Sequence, residues 1–211
     1  QGGLRIVTTI DKTSQDAAVA AMKGNLPDKV TGGLVAMKPG DGAVVAMYGG
    51  ADYAKNQLNT ATQAILQGAS NFKPFAVLAA VRDGISINTR FDGNQPQTIE
   101  GTTIVNYGGR SYGYVDMRRM IGRSINTAFV NLNKTVGPAR TRQAAIDAGI
   151  PANTPGLDDS PTNVLGSAPP HVIAMATAYS TIPGQGIHVT PSLIQQVTPS
   201  TNPGFNYAHT P

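Results

Sequence analysis

The sequence predicts an α+β fold: an antiparallel sheet with flanking helices and a helical subdomain. Three features lead there. Strand-like segments gather at the two ends of the chain and helical ones in its middle, without the alternation that builds a parallel sheet. The segment "GLVAMKPGDGAVVAMYGG" (33–50) sets two apolar runs around Pro39-Gly40-Asp41-Gly42, a turn composition that makes a β-hairpin. The stretch "SNFKPFAVLAAV" (70–81) is apolar on every side once past its first residues, the pattern of a helix inside a core.

In chain order, "LRIVTTI" reads as a strand over 4–10. Asp11 to Ser14 then cap a helix through "QDAAVAAMKG" that Gly24 stops. The hairpin strands fall at about 34–38 and 43–48. Residues 51–67 are a polar, Asn- and Gln-rich approach, expected to turn helical near Ala61. The buried helix spans 70–82 and ends at Asp83-Gly84. From 85 to 114 glycine, threonine, asparagine and tyrosine indicate strands and loops. Two helices follow, 115–123 and 126–136, broken near Ser124. A helix over 139–148 stops at Gly149, a proline-rich loop runs to 170, and "HVIAMATAYSTI" forms another apolar helix. The last strand is expected over 187–197.

Composition narrows the function. A chain of 211 residues, 40% hydrophobic, is enough for one large domain with a full core. Only 13% is charged and the net charge is +4, with basic residues scattered, so no stripe is available to track nucleic acid. Cysteine is absent, which removes thiol catalysis, disulfides and thiolate-bound metals. His171, His188 and His209 are far apart and attached to no carboxylate pattern, so no metal site is expected. Tyr107, Tyr112 and Tyr114, flanked by glycines, read as packing residues rather than as the lining of a cleft. No run reaches the roughly 18 apolar residues of a membrane span. Gln1-Gly2-Gly3 leads into a β-rich segment with no methionine before it, and "TPSTNPGFNYAHTP" (198–211) closes nothing. Both ends are therefore expected to be cuts within a longer chain.

Lys73 is the one charge inside the buried helix. Three residues after Ser70 it shares a helix face with that serine, and Pro74 still sits in a tolerated first turn. A lysine among apolar groups loses affinity for its proton, and a neutral amine can take the proton of a serine attacking a carbonyl. The helix N-terminus is expected to offer backbone N–H groups to the resulting oxyanion. The plain alternative is a serine N-cap followed by a lysine that snorkels out of the first turn.

Ser-x-x-Lys, followed by Ser-x-Asn and Lys-Thr-Gly, is the pattern of penicillin-binding proteins and class A β-lactamases. Two segments carry the second element, Ser86-Ile87-Asn88-Thr89 and Ser124-Ile125-Asn126-Thr127. The first lies past the far end of the helix that begins at Ser70, about 18 Å along its axis, and cannot readily return. The second sits at a break between helices and is free to fold back. Together, "GGLRIVTTID", the hairpin, "GASNFKPF", "NYGGRSYGYVDMRRMIGRSINTAFV" and "ATAYSTIPGQGIHVTPSLIQQV" resemble, in order and spacing, the transpeptidase domain of a class A, bifunctional penicillin-binding protein.

This resemblance covers nearly the whole chain, and it implies the penicillin-binding protein and serine β-lactamase fold, incomplete at the C-terminal end. Ser70 would be the acylated nucleophile, Lys73 its general base, Ser124 a proton relay to the leaving amine and Asn126 a donor to the substrate peptide. Two features depart from the pattern. Gly68-Ala69 stands where relatives usually carry Pro-Gly, and Lys-Thr-Gly is absent. "NKTVG" (133–137) is no substitute, since it ends a helix and has valine in the glycine position. Residues 1–211 are thus expected to be a partial transpeptidase domain. A glycosyltransferase domain would lie upstream, and a Lys-Thr-Gly strand would come from a further segment or chain.

Glu100 is the single glutamate and precedes Ser124, whereas a class A β-lactamase needs a later glutamate to activate the deacylating water. The expected activity is therefore a serine D,D-transpeptidase that cross-links peptidoglycan stem peptides and is trapped by β-lactam antibiotics. No cofactor or metal is called for. The expected place is the cell envelope, at the outer face of the cytoplasmic membrane, anchored by a segment outside this sequence. A D,D-carboxypeptidase of the same fold and a non-catalytic binding or structural domain are the alternatives.

Overall fold

A computed structural model describes residues 3–199 and 206–210. Its elements are β1 (Leu4–Thr8), α1 (Lys12–Asn25), β2 (Leu34–Met37), β3 (Val44–Tyr48), α2 (Lys73–Arg82), β4 (Arg90–Asp92), β5 (Gln97–Ile99), β6 (Thr102–Ile104), β7 (Tyr114–Asp116), α3 (Met117–Arg123), α4 (Asn126–Val136), α5 (Pro138–Ala148), α6 (Val172–Ser180), β8 (Ile194–Pro199) and β9 (Tyr207–Ala208). They form two compact units. One takes the residues up to Leu66, Ala148–Ile150 and those from His171 onward, and the other takes Gln67–Asp147 and Pro151–Pro170.

The first unit holds the antiparallel pairings expected from the two ends of the chain. β8 lies between β1 and β9, and β2 pairs with β3 around the glycine-bearing turn. Helix α1 starts where Asp11 accepts from the Ser14 amide at 2.8 Å, as its capping chemistry requires. Gln15 then docks the helix on β3, exchanging two 2.8 Å hydrogen bonds with the backbone of Met47.

Two expectations here are corrected. The segment near Ala61 is a turn, because the Asn59 side chain takes the Ala61 amide at 3.0 Å and closes an Asx turn that the chain does not extend. The last strand begins at Ile194 rather than 187. Before it the chain makes a single bridge, Ala43 to Ser192, and Pro191 has no N–H to add another rung. Of the C-terminal stretch read as closing nothing, 200–205 and 211 lie outside the described residues, while Tyr207–Ala208 pairs with β8.

The second unit is mostly helical, with two small hairpins, β4 with β7 and β5 with β6. Its centre is α4, whose Thr127, Ala128, Phe129, Val130, Leu132, Asn133 and Val136 are all buried. The apolar helix α2 packs against it through Phe75, Ala76, Ala79 and Ala80. Ser70 stands in a 3-10 turn, Ala69–Phe72, and α2 itself starts at Lys73 with Pro74 in its first turn, where the missing N–H costs no bond. Val115 and Asp116, expected as the start of a helix, belong with Tyr114 to β7, and Asp116 then caps α3 by accepting from the Arg119 amide. Among the described residues no helix is long and apolar enough to cross a membrane.

Candidate active site

All four residues singled out from the sequence lie in the second unit, and the structure brings them to one point, the Lys73 ammonium nitrogen. Nζ stands 3.1 Å from Ser70 Oγ, 2.8 Å from Ser124 Oγ, 2.8 Å from the Ser124 carbonyl oxygen and 2.7 Å from Asn126 Oδ1. The snorkelling alternative fails, since Lys73 is 2% exposed. It lies over the Phe129 ring, 5.5 Å from its centroid, and burial brings its pKa down from 10.5 to about 8.

The oxygens around Nζ are not equivalent. The Ser124 carbonyl can only accept, and Asn126 presents its oxygen because its Nδ2 donates to the Val105 carbonyl at 2.9 Å. An ammonium spends its three N–H on these two acceptors and one hydroxyl. A neutral amine still holds both acceptors with its two N–H and turns its lone pair to a hydroxyl proton. Nζ therefore keeps its seat whether or not it carries the proton.

Ser124 reaches the lysine twice because its backbone is left-handed, φ 52° and ψ 45°, at the C-terminal cap of α3. That conformation is uncommon for a residue with a Cβ, and here it aims both the carbonyl and the hydroxyl inward. The start of α4 has no capping side chain of its own. Asn106 supplies one from a distance. It is buried, and its Oδ1 accepts from the Thr127 amide at 3.1 Å and from Thr127 Oγ1 at 3.2 Å. Its Nδ2 meanwhile holds the carbonyls of Gly93 and Arg110. No local pattern announces such a cap, and the alternation of buried Ile104 and Asn106 with exposed Val105 and Tyr107 is the one signal that points Asn106 inward.

The packing expectation is corrected for two tyrosines: Tyr107, in that alternation, is 95% exposed, and Tyr114, at the start of β7, is 65% exposed. Ser86 and Asn88 are exposed beyond the end of α2, with Ser86 Oγ accepting from the Asn88 amide, and they take no part in the site. Lys134 is exposed on α4, on a helix and not on a strand. Of the histidines, His171 bonds the Ala64 carbonyl and His209 pairs with Asp41, while His188 is exposed. Among the described residues no three such groups converge as metal ligands.

A groove of about 460 Å³ runs beside Ala69 and Asn126, lined by Gln67, Thr102, Thr103, Thr162, Leu165 and Ser167 among others. None of its lining residues is a carboxylate, and Glu100 sits exposed at the β5–β6 turn.

Comparison with known proteins gives the family. The family model for the penicillin binding protein transpeptidase domain matches residues 32–208. Penicillin-binding protein 1A of Mycolicibacterium smegmatis is 34% identical over 94% of this chain and 27% of its own length. The Mycobacterium tuberculosis protein of the same name is 36% identical over 92% of this chain and 25% of its own. The chain thus spans about a quarter of the length of these curated relatives. Among solved structures, the PonA1 protein from Mycobacterium tuberculosis in complex with penicillin V superposes with a TM-score of 0.85. It is 33% identical, over 95% of this chain and 56% of that one. The D,D-transpeptidase domain of a peptidoglycan glycosyltransferase from Eggerthella lenta, 21% identical, shares the fold with a TM-score of 0.82 over 99% of this chain and 61% of that one.

Proposed function

The chain belongs to the penicillin-binding protein transpeptidase family, and from that premise we propose that it is a serine D,D-transpeptidase acting on peptidoglycan stem peptides. The single observation that carries the reading is the buried Lys73 amine within 3.1 Å of Ser70 Oγ.

With its pKa near 8, Lys73 is neutral in a useful fraction of molecules at neutral pH. Ser70 Oγ attacks the carbonyl between the two terminal D-alanines while its proton passes to Nζ. The tetrahedral intermediate collapses as Ser124 hands a proton from Nζ to the leaving nitrogen, the C–N bond breaks and D-alanine departs. An amine of a neighbouring strand then attacks the Ser70 ester and gives its proton back along the same path to Ser70 Oγ, whose bond to the acyl carbon breaks as the cross-link forms. Asn126 has one amide N–H committed to Val105 and a second for the donor peptide.

The groove beside Ala69 and Asn126 carries no carboxylate to activate water, which supports an acyl-enzyme long-lived enough to meet an amine and a β-lactam adduct that persists. The penicillin V complex of a 33% identical neighbour supports the same conclusion. The site of action in this reading is the cell envelope, where the substrate lies.

The test is mass spectrometry of the full-length protein after exposure to benzylpenicillin. One covalent adduct is expected on Ser70, none in Ser70→Ala, and a normal adduct in Ser86→Ala. Absence of an adduct on the folded wild-type protein refutes the reading.

A further inference from the structure

We propose that the loop 163–168 is a strap that sets the position of Ser70, with Gly166 as its positioning residue; the inference rests on Ser70 being the nucleophile. Ala69, immediately before Ser70, has φ 45°, in the left-handed region that a side chain disfavours. The turn needs outside support to stay there. Two backbone hydrogen bonds supply it, from the Gly68 amide to the Ala168 carbonyl at 3.0 Å and from the Ala69 amide to the Gly166 carbonyl at 2.9 Å.

The strap itself is anchored. Val164 and Ala168 are buried, and buried Asn163 donates to the carbonyls of Pro138 and Asp158 while accepting from Asn133 of α4 at 3.0 Å. The helix that carries Asn126 at its start is therefore tied through Asn133, Asn163 and Gly166 to the backbone that carries Ser70. Both sides of the site are held to one frame.

Gly166 is the member of this frame that tolerates no side chain. Its φ is 76°, and a Cβ there would stand 2.1 Å from the Ala69 oxygen and 2.4 Å from its nitrogen. The collision is with backbone on both counts, so no rotamer relieves it. A methyl at 166 has to push Ala69, and with it Ser70, away from Nζ. Gly84, at the end of α2, has the same φ of 76° with nothing within 4 Å of its would-be Cβ, which makes Gly84→Ala the matched control for conformational cost alone.

The experiment compares Gly166→Ala and Gly84→Ala in the full-length protein, below the melting temperature of both, separating noncovalent affinity for benzylpenicillin from the acylation rate constant. Displacing a nucleophile by an ångström costs on the order of a hundredfold in rate, so Gly166→Ala is expected to lose roughly 10- to 100-fold in the acylation step. Its affinity should stay within about threefold of wild type, and Gly84→Ala should acylate normally. Equal acylation by Gly166→Ala and wild type overturns the strap, as does an equal loss in both variants. Should Gly166→Ala not fold, Asn163→Asp serves instead, since it keeps the acceptor for Asn133 and loses both donor bonds; unchanged acylation in folded Asn163→Asp also overturns it. A wild-type protein that takes no penicillin at all speaks against the function and not against the strap.

Discussion

Titrating Lys73 is the most direct probe of the site. Its pKa of about 8, against 10.5 for an ordinary lysine, leaves about one molecule in ten neutral at pH 7 and about one in a hundred at pH 6. If the neutral amine takes the Ser70 proton, the acylation rate constant should rise about tenfold per pH unit up to pH 8 and then level off. The difference of about 2.5 pH units, at about 1.4 kcal/mol each, amounts to roughly 3–4 kcal/mol. That energy also has a stability signature. Below pH 8 folded and unfolded chains both carry the ammonium, and the folded chain bears the full cost of burying it. Between about 8 and 10.5 the unfolded chain keeps a proton that the folded one has shed, so stability rises with pH across this window. Stopped-flow acylation with a fluorescent penicillin from pH 5.5 to 9.5 measures the first effect, and urea unfolding of wild type against Lys73→Met measures the second. Lys73→Arg, whose guanidinium keeps its proton, should acylate about a hundredfold or more slowly at every pH and show no limb near 8. A rate independent of pH from 6 to 9, or a near-normal arginine variant, refutes the assignment.

Ala69→Gly should stabilise the protein by about 0.5 kcal/mol, since glycine removes a left-handed penalty of roughly 1–2 kcal/mol and returns part of it as unfolded-chain entropy; thermal denaturation checks the sign, and acylation should be unchanged. Asn106→Ala leaves the Thr127 amide and the Arg110 carbonyl without a partner and takes one of two donors from the Gly93 carbonyl, which keeps the Tyr112 amide, and should cost roughly 2–4 kcal/mol in urea unfolding. In the first unit, the hydrogen bond from His209 holds the Asp41 carboxyl below its usual range. His209→Ala should move the Asp41 titration upward in carboxyl NMR, and an unmoved titration would contradict the pairing.

The pieces of this site that are local in sequence were legible. Ser70 and Lys73 are three residues apart, and the all-round apolar helix left two places for the lysine, buried beside the serine or snorkelling out of the first turn, of which the structure shows the first. Asn126 and Ser124 were readable only with the resemblance, because their meeting with Lys73 depends on α4 packing against α2, a tertiary fact. The supporting residues were invisible for a related reason. Asn106 caps a helix that begins twenty residues later, and Gly166 meets Ala69 across almost a hundred residues. Neither leaves a pattern in its own neighbourhood. The helix wrongly expected near Ala61 shows the reverse failure: the local propensity was adequate, and one asparagine side chain closed the turn first.

If Ser70 is the nucleophile proposed above, the burial of Lys73 also decides which of two nucleophiles is acylated. A neutral amine is intrinsically more reactive toward a strained amide than a hydroxyl, and an amine 3.1 Å from the serine hydroxyl would be placed, once that serine carried an acyl group, to take the group and end as a dead amide. Here Nζ is ringed by four oxygens and an aromatic face. An incoming carbonyl carbon finds no free approach to it, while Ser70 is exposed to the electrophile. In that reading, the enclosure that lowers the lysine's proton affinity enough for it to be neutral near pH 7 also withholds it from the chemistry it promotes, and spares the protein irreversible self-acylation on its own base.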